Sequence, residues 1–149
     1  MMLDVRNLCS DEQDLAQVIG TYLSDRSIAR GDSATDQMGN VLIGSLGKSP
    51  VPIFCQVTTT FAGASGTVEA QLVSADNEAL STNLVVHQST GAIAVASLVA
   101  GYHFQLGKYV PVGVTKALWG FRYLIATTNM SAGKISAGVC AADQTAPGM

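Results

Sequence analysis

Charge is scarce in this chain. Only 13% of its 149 residues are Asp, Glu, Lys or Arg, and 8 basic against 11 acidic residues leave a net charge of −3. That balance is too weak, and of the wrong sign, to grip a phosphate backbone or an acidic lipid surface, so neither nucleic acid nor membrane is an expected partner. Cysteine is equally sparse: Cys9, Cys55 and Cys140 are odd in number, far apart and without a CxxC spacing. They offer zinc no tetrahedral set and form no dithiol, and are expected to be reduced thiols of a protein made in a cytosol. The start of the chain, Met1 to Arg6, lacks the basic flank and apolar stretch of a signal peptide, and no run approaches the ~18 apolar residues of a membrane span. The protein is therefore expected to be made and kept soluble inside a cell. Proline numbers 4 and glycine 15 against 48% apolar residues, which excludes a disordered or collagen-like chain. The length fits one domain.

What charge there is lies at the front. Residues 1–36 hold seven acids (Asp4, Asp11, Glu12, Asp14, Asp25, Asp32, Asp36) and three arginines, a net of −4, whereas residues 37–149 hold four acids and five bases, a net of +1. The pattern suggests an N-terminal arm over 1–38 and a nearly neutral body over 39–149. In the body, short apolar runs are broken by turn residues, as strands are. Residues 53–61 place Ile53, Cys55, Val57, Thr59 and Phe61 on one period-2 face, and residues 67–72 do the same with Val68, Ala70 and Leu72 after a Gly-rich turn. Segments 40–43, 84–87, 92–98, 102–106, 118–126 and 134–141 behave alike. About eight strands, with no helix between them to cross over a parallel sheet, predict an all-β antiparallel two-sheet sandwich or jelly roll. In the arm, Ser10 and Gln13 have capping-box spacing and Leu15, Val18, Ile19 and Tyr22 follow at helical intervals, which predicts one short helix. No repeat of 20–50 residues is visible, which excludes a propeller or solenoid.

Motifs that carry chemistry are wanting. Gly47-Lys48-Ser49 ends like a phosphate loop, but Leu42 stands where the first glycine belongs and Pro50 denies the following helix. Gly44-Ser45-Leu46-Gly47 misses the spacing of a nucleophile elbow. His87 and His103 lie on separate strands with no Cys, Asp or Glu at metal-site spacing, and Asp76 with Glu78 is too small a set for a calcium loop. Arg30-Gly31-Asp32 is a chance tripeptide, and Asn129-Met130-Ser131 is a glycosylation acceptor without a secretory context. Trp119, Phe121, Tyr123 and Ile125 alternate as a core strand does, with no cationic groove beside them to make a base-stacking platform. No enzyme, cofactor or metal is expected. A weakly charged sandwich with many small side chains suits broad contact surfaces, hence assembly.

Several segments resemble a known family. Ser24-Asp25-Arg26-Ser27-Ile28-Ala29-Arg30-Gly31, the stretch from Thr35 to Asn40 leading into Pro52–Phe61, and Leu72–Asp76 are similar to the jelly-roll capsid cement (decoration) proteins of tailed bacteriophages. Leu98–Phe104, Val110-Pro111, Phe121–Leu124 and Ser131–Gly138 keep the order of that family. An acid that the family is expected to carry before the arm's glycine is missing from Ile28-Ala29-Arg30-Gly31, so its role does not carry over. The resemblance implies a virion structural protein, made in the host cytoplasm, that binds the outer surface of the icosahedral shell. There it would bridge major capsid subunits against internal DNA pressure. Its implied partners are the major capsid protein and itself, as a homodimer in preference to a homotrimer. Asp11, Glu12, Asp14, Arg26 and Arg30 are then candidate polar contacts of an arm clamped over a neighbour; the competing reading is charges that merely keep the arm soluble. The alternative function is a receptor-binding or tail-fibre head that recognises a surface glycan.

Overall fold

The computed structural model describes residues 3–29, 34–35, 41–42, 51–111, 114 and 116–140. The strands are β1 (Leu3–Asp14), β2 (Gly20–Leu23), β3 (Ile28–Ala29), β4 (Ala34–Thr35), β5 (Val41–Leu42), β6 (Ile53–Ala62), β7 (Thr67–Ala75), β8 (Val85–Ser89), β9 (Ile93–Ala94), β10 (Leu118–Ala126) and β11 (Ala132–Cys140). One sheet has the order β1-β11-β6 and the other β2-β10-β7-β8, with β3 beside β10, β9 beside β7, and β4–β5 as a separate pair. All pairings are antiparallel.

Residues 98–110 complete the first sheet without forming a regular strand. They run along the free edge of β6, where Phe61 N–H donates to Leu98 O (3.0 Å), Val57 N–H to Tyr102 O (2.9 Å), Phe104 N–H to Cys55 O (2.9 Å) and Ile53 N–H to Lys108 O (3.0 Å). Bridges Gln56–His103 and Pro52–Tyr109 belong to the same contact. The sandwich is thus four on four, β1-β11-β6-(98–110) against β2-β10-β7-β8, with the chain winding between sheets as in a jelly roll.

Alternation dictates the core. Val68, Ala70 and Leu72 of β7 and Trp119, Phe121, Tyr123 and Ile125 of β10 face Cys55, Val57 and Phe61 of β6 and Ile135 and Ala137 of β11, all buried in one cluster. Each large side chain there contributes about 1.5–3 kcal/mol by leaving water. A second, small cluster of Val73, Ala75 and Leu80 forms on the outer face of β7, with Leu23, Leu84 and Leu118 packed against it. Loop 76–84 folds back to cover it, held by Asn77 Oδ1 accepting from the N–H groups of Ser81 and Thr82, both at 2.9 Å.

Four expectations need correction. The helix expected after Ser10 does not form: residues 10–14 finish β1 and 20–23 are β2, and the helix among the described residues is a single 3-10 turn, Val95–Ser97. The Ser10–Gln13 spacing does produce a bond, Ser10 Oγ to Gln13 Oε1 at 2.7 Å, but across a bulge. Glu12 takes φ +46 there and the register against β11 shifts, which brings two residues three apart onto one side of a strand. Segment 92–98 shrinks to two strand residues and the 3-10 turn, and 102–106 to the one bridge at His103. Finally, the acidic stretch supplies three strands of the sandwich, β1 to the first sheet and β2 and β3 to the second. It does so because Leu8, Cys9, Ser10 and Leu15 are buried while the acids Asp11, Glu12 and Asp14 stay outside. The boundary at residue 38 and the segment 43–49 lie outside the described residues.

Candidate functional site

The turn after β2 closes one side of the sandwich. Ser24 N–H donates to Phe121 O (2.8 Å) and Arg26 N–H to Cys9 O (2.9 Å), so residues 24–26 are bonded to both sheets. Ser24 Oγ donates to Arg26 O at 2.8 Å and accepts from Phe121 N–H at 3.2 Å, which sets the turn's conformation. Beside it opens a cleft of about 230 Å³ lined by Leu8, Cys9, Asp11, Asp25 and Arg26. Two of the five candidate contacts, Asp11 and Arg26, are therefore brought together. Asp25 joins them: burial in the cleft pushes its carboxyl above the usual range, Arg26 opposes that, and Asp11 adds to it. These three side chains form no ion pair with one another; among the described residues the ion pair is Lys116 Nζ to Asp76 Oδ2 at 3.0 Å.

The other candidates stand apart from the cleft. Glu12 is exposed, and its N–H donates to Ser136 Oγ at 3.0 Å. The Asp14 carboxylate accepts from Ala16 N–H at 2.8 Å, shaping the turn that follows β1. Arg30 lies outside the described residues. Sequence reasoning missed Asp25, although its adjacency to Arg26 just past β2 was a signal available for a polar turn.

Behind the cleft wall lies a buried polar chain. Gln13 Nε2 donates to Leu23 O (2.7 Å), which fixes its amide so that Oε1 accepts from Ser10 Oγ–H. Ser10 has one proton to give, so Tyr123 O–H donates to Ser10 Oγ at 2.8 Å. The chain links β10, β1 and β2. Burial pushes the Cys9 thiol up to about 12, and the Cys55 thiol and Tyr123 phenol well above their usual values. All three groups stay protonated at neutral pH, and thiols in that form are poor nucleophiles.

Elsewhere the reactive side chains serve local structure. His87 Nε2 lies 2.7 Å from Ser74 Oγ, and partial burial lowers its pKa. His103 is exposed, in the other sheet. Asp76 accepts from Asn83 Nδ2 (2.8 Å) and Lys116 Nζ (3.0 Å), tethering its loop to residue 116. On the outer face of the second sheet Arg122 donates to Gln71, and Gln71 and Ser89 donate to Glu69. Among the described residues no three His, Cys, Asp or Glu side chains gather at metal-binding distance, and no helix is long and apolar enough to cross a membrane.

A search of curated proteins finds no match to this chain. The family model Bbp16 matches residues 15–139. The matched stretch runs from the turn after β1 almost to the end of β11, through both sheets and the cleft's Asp25 and Arg26, and the chain belongs to the Bbp16 family of bacteriophage proteins.

Proposed function

We propose that this phage protein is a capsid cement protein, which binds the outer surface of the icosahedral shell, bridges major capsid subunits and stabilises the head against internal DNA pressure. The observation that carries the reading is how the sandwich distributes its side chains. Thiols, phenol and aromatic stripe are committed to the core, while the outside is weakly charged, with the Asp11–Asp25–Arg26 cleft along one side. Such a surface suits contact over an area better than turnover at a point. Each bridging copy contributes one modest association free energy, and many copies on a closed lattice sum it into mechanical reinforcement without covalent bonds. Asp11 and Arg26 at the cleft, with Glu12 and Asp14 further along β1, are the polar contacts this reading favours. A homodimer is the favoured assembly, since a two-fold axis lets one surface patch serve both copies.

The copy number of this chain relative to the major shell protein in purified virions, by quantitative mass spectrometry, tests the proposal. A ratio comparable to the shell protein is expected. A few copies per particle would instead favour a tail-fibre or receptor-binding head, and absence from the virion would overturn a virion role altogether.

A further inference from the structure

The two sheets end side by side on the flank opposite the cleft. β8 closes the order β2-β10-β7-β8, and residues 98–110 close the first sheet beyond β6. Gln88 joins these two margins: its Oε1 accepts from Gly107 N–H at 3.0 Å and its Nε2 donates to Tyr109 O at 3.5 Å. Of the six large apolar side chains exposed among the described residues, four belong to this flank: Val85 and Val86, each 41% exposed, with Val99 and Tyr109. Residues 79–107 hold no Asp, Glu, Lys or Arg. The charges that border the strip are Lys108 and Glu69, and the Glu69 carboxylate is engaged by Ser89 and Gln71 on the outer face.

The main chain of β8 is open on this flank. Thr90 N–H donates to Ala70 O at 3.0 Å, so by strand alternation the N–H and C=O of Ser89 point away from β7, and neither has a partner among the described residues. Folded proteins blunt such an edge with charge, proline or irregular pairing. β1, the margin on the cleft side, is treated so: Asp11, Glu12 and Asp14 are exposed along it, its register shifts three times, and Cys9 O is taken by Arg26 N–H. β8 has no charged residue and no proline in Val85–Ser89. The register shift that skips His87 leaves its ring 2.7 Å from the Oγ of buried Ser74, turned back into the sandwich. One flank is protected against strand addition, and the other is left open to it.

An open strand edge accepts an extended backbone, and a second copy of β8 supplies one that is complementary to itself. Antiparallel pairing about His87 sets Val85 opposite Ser89 and Val86 opposite Gln88 of the other copy, so no like charges are opposed. Two-fold pairing also consumes both edges, so the assembly closes at two copies and builds no fibre. We propose that β8 is the self-association edge of this protein, pairing antiparallel with β8 of a second copy so that the second sheet runs through the dimer. The pairing rests on the homodimer of the cement reading and gives that dimer a surface. It also supplies the geometry of a bridge. With the seam on the β8 flank, the two Asp11–Asp25–Arg26 clefts face away from the two-fold axis, one for each of two shell subunits.

Sedimentation velocity of the full chain across a dilution series reads the assembly directly. A dimer is expected, and Val85→Lys/Val86→Lys, which opposes like charges along the seam, should weaken it about tenfold or more. Ser89→Pro, which removes the outward N–H, should weaken it likewise. Val18→Lys, at another exposed apolar position on the loop before β2, should leave it unchanged. In the wild type the Ser89 amide should exchange its hydrogen slowly at dimeric concentrations and freely on dilution, a change that a purely structural role of β8 would not produce. A wild type that stays monomeric yet binds heads assembled without this chain overturns this inference and leaves the cement reading intact. Dimers that withstand both β8 variants, or that leave the Ser89 amide freely exchanging, overturn it as well. Dimers that the β8 variants abolish but that bind no heads uphold the edge and overturn the cement reading. Monomers whose binding to heads is lost in the β8 variants would assign the edge to a strand of the shell protein and overturn self-pairing.

Discussion

Tyr123 sits at the centre of the sandwich with its hydroxyl pointed at a serine on the facing sheet, and that single proton decides how well two sheets are joined. Removing the acceptor while keeping the donor strands a buried O–H, which costs the full desolvation of that group. Ser10→Ala is expected to destabilise the protein by about 1–3 kcal/mol in urea unfolding. Adding Tyr123→Phe should cost less than the sum of the two single changes, because both belong to one chain of bonds. At this scale much was legible: Trp119, Phe121, Tyr123 and Ile125 announced their burial by alternation. Asp25 was not legible. Its altered carboxyl depends on a turn bonded to both sheets, and that proximity between residues 9, 11 and 25 exists only after β1 and β2 have separated into different layers.

Elements show where period-2 patterning stops being informative. Alternation tells which side chains share a face but not which strand lies alongside, so β7 and β10 were recognisable as strands while their pairing was not. Nor could it foresee that residues 98–110 would follow β6 through scattered bonds, because Gly101 at φ +92 interrupts the strand geometry. The Ser10–Gln13 pair was ambiguous for a related reason: a capping box and a bulged strand place the same two side chains together. Backbone packs tightly against Gly138 where β1 crosses β11. A Cβ added at Gly138 would meet Asn7 O at 2.5 Å and Leu8 Cα at 2.8 Å, both backbone atoms that cannot turn aside. Gly138→Ala should therefore cost about 1–3 kcal/mol by forcing the two strands apart. A denaturation midpoint equal to wild type would show that β1 does not rest on β11 there.

For the molecule as a whole, low charge leaves few groups to couple folding to pH, and those few act in a definite order. His87 titrates below its usual 6.5 in the folded state because of burial, so the unfolded chain takes up that proton first as pH falls and stability declines from about pH 6.5 downward. Glu69 is held below its usual 4.5 by Ser89 and Gln71, so its contribution is full above that value and is lost on further acidification. Asp25, raised by burial, works the other way and softens the acid loss. Melting temperature should thus be nearly flat between about pH 7 and 8, fall in two stages below that range, and fall again above about pH 9, where the unfolded chain ionises thiols and a phenol that burial keeps protonated in the fold; His87→Gln should abolish the first acid stage. The fold class was legible at this scale from strand spacing alone. The supposed arm was not, since charge density marks what faces water and says nothing of the buried face of the same strand. Deleting residues 1–20 accordingly removes β1 from the first sheet and is expected to unfold the protein, so point substitutions at Asp11 and Arg26 are the cleaner probes of contact.

The pairing of β1 with β11 has a consequence in time. β1 finds its partner in β11 and β2 in β10, far along the chain, so neither sheet closes until β10 and β11 have been made. Folds dominated by such distant pairings assemble slowly compared with helical proteins of similar size. Each copy therefore spends an interval with apolar strands open to other nascent copies, and how fast a cell produces this protein will govern how much of it survives to fold.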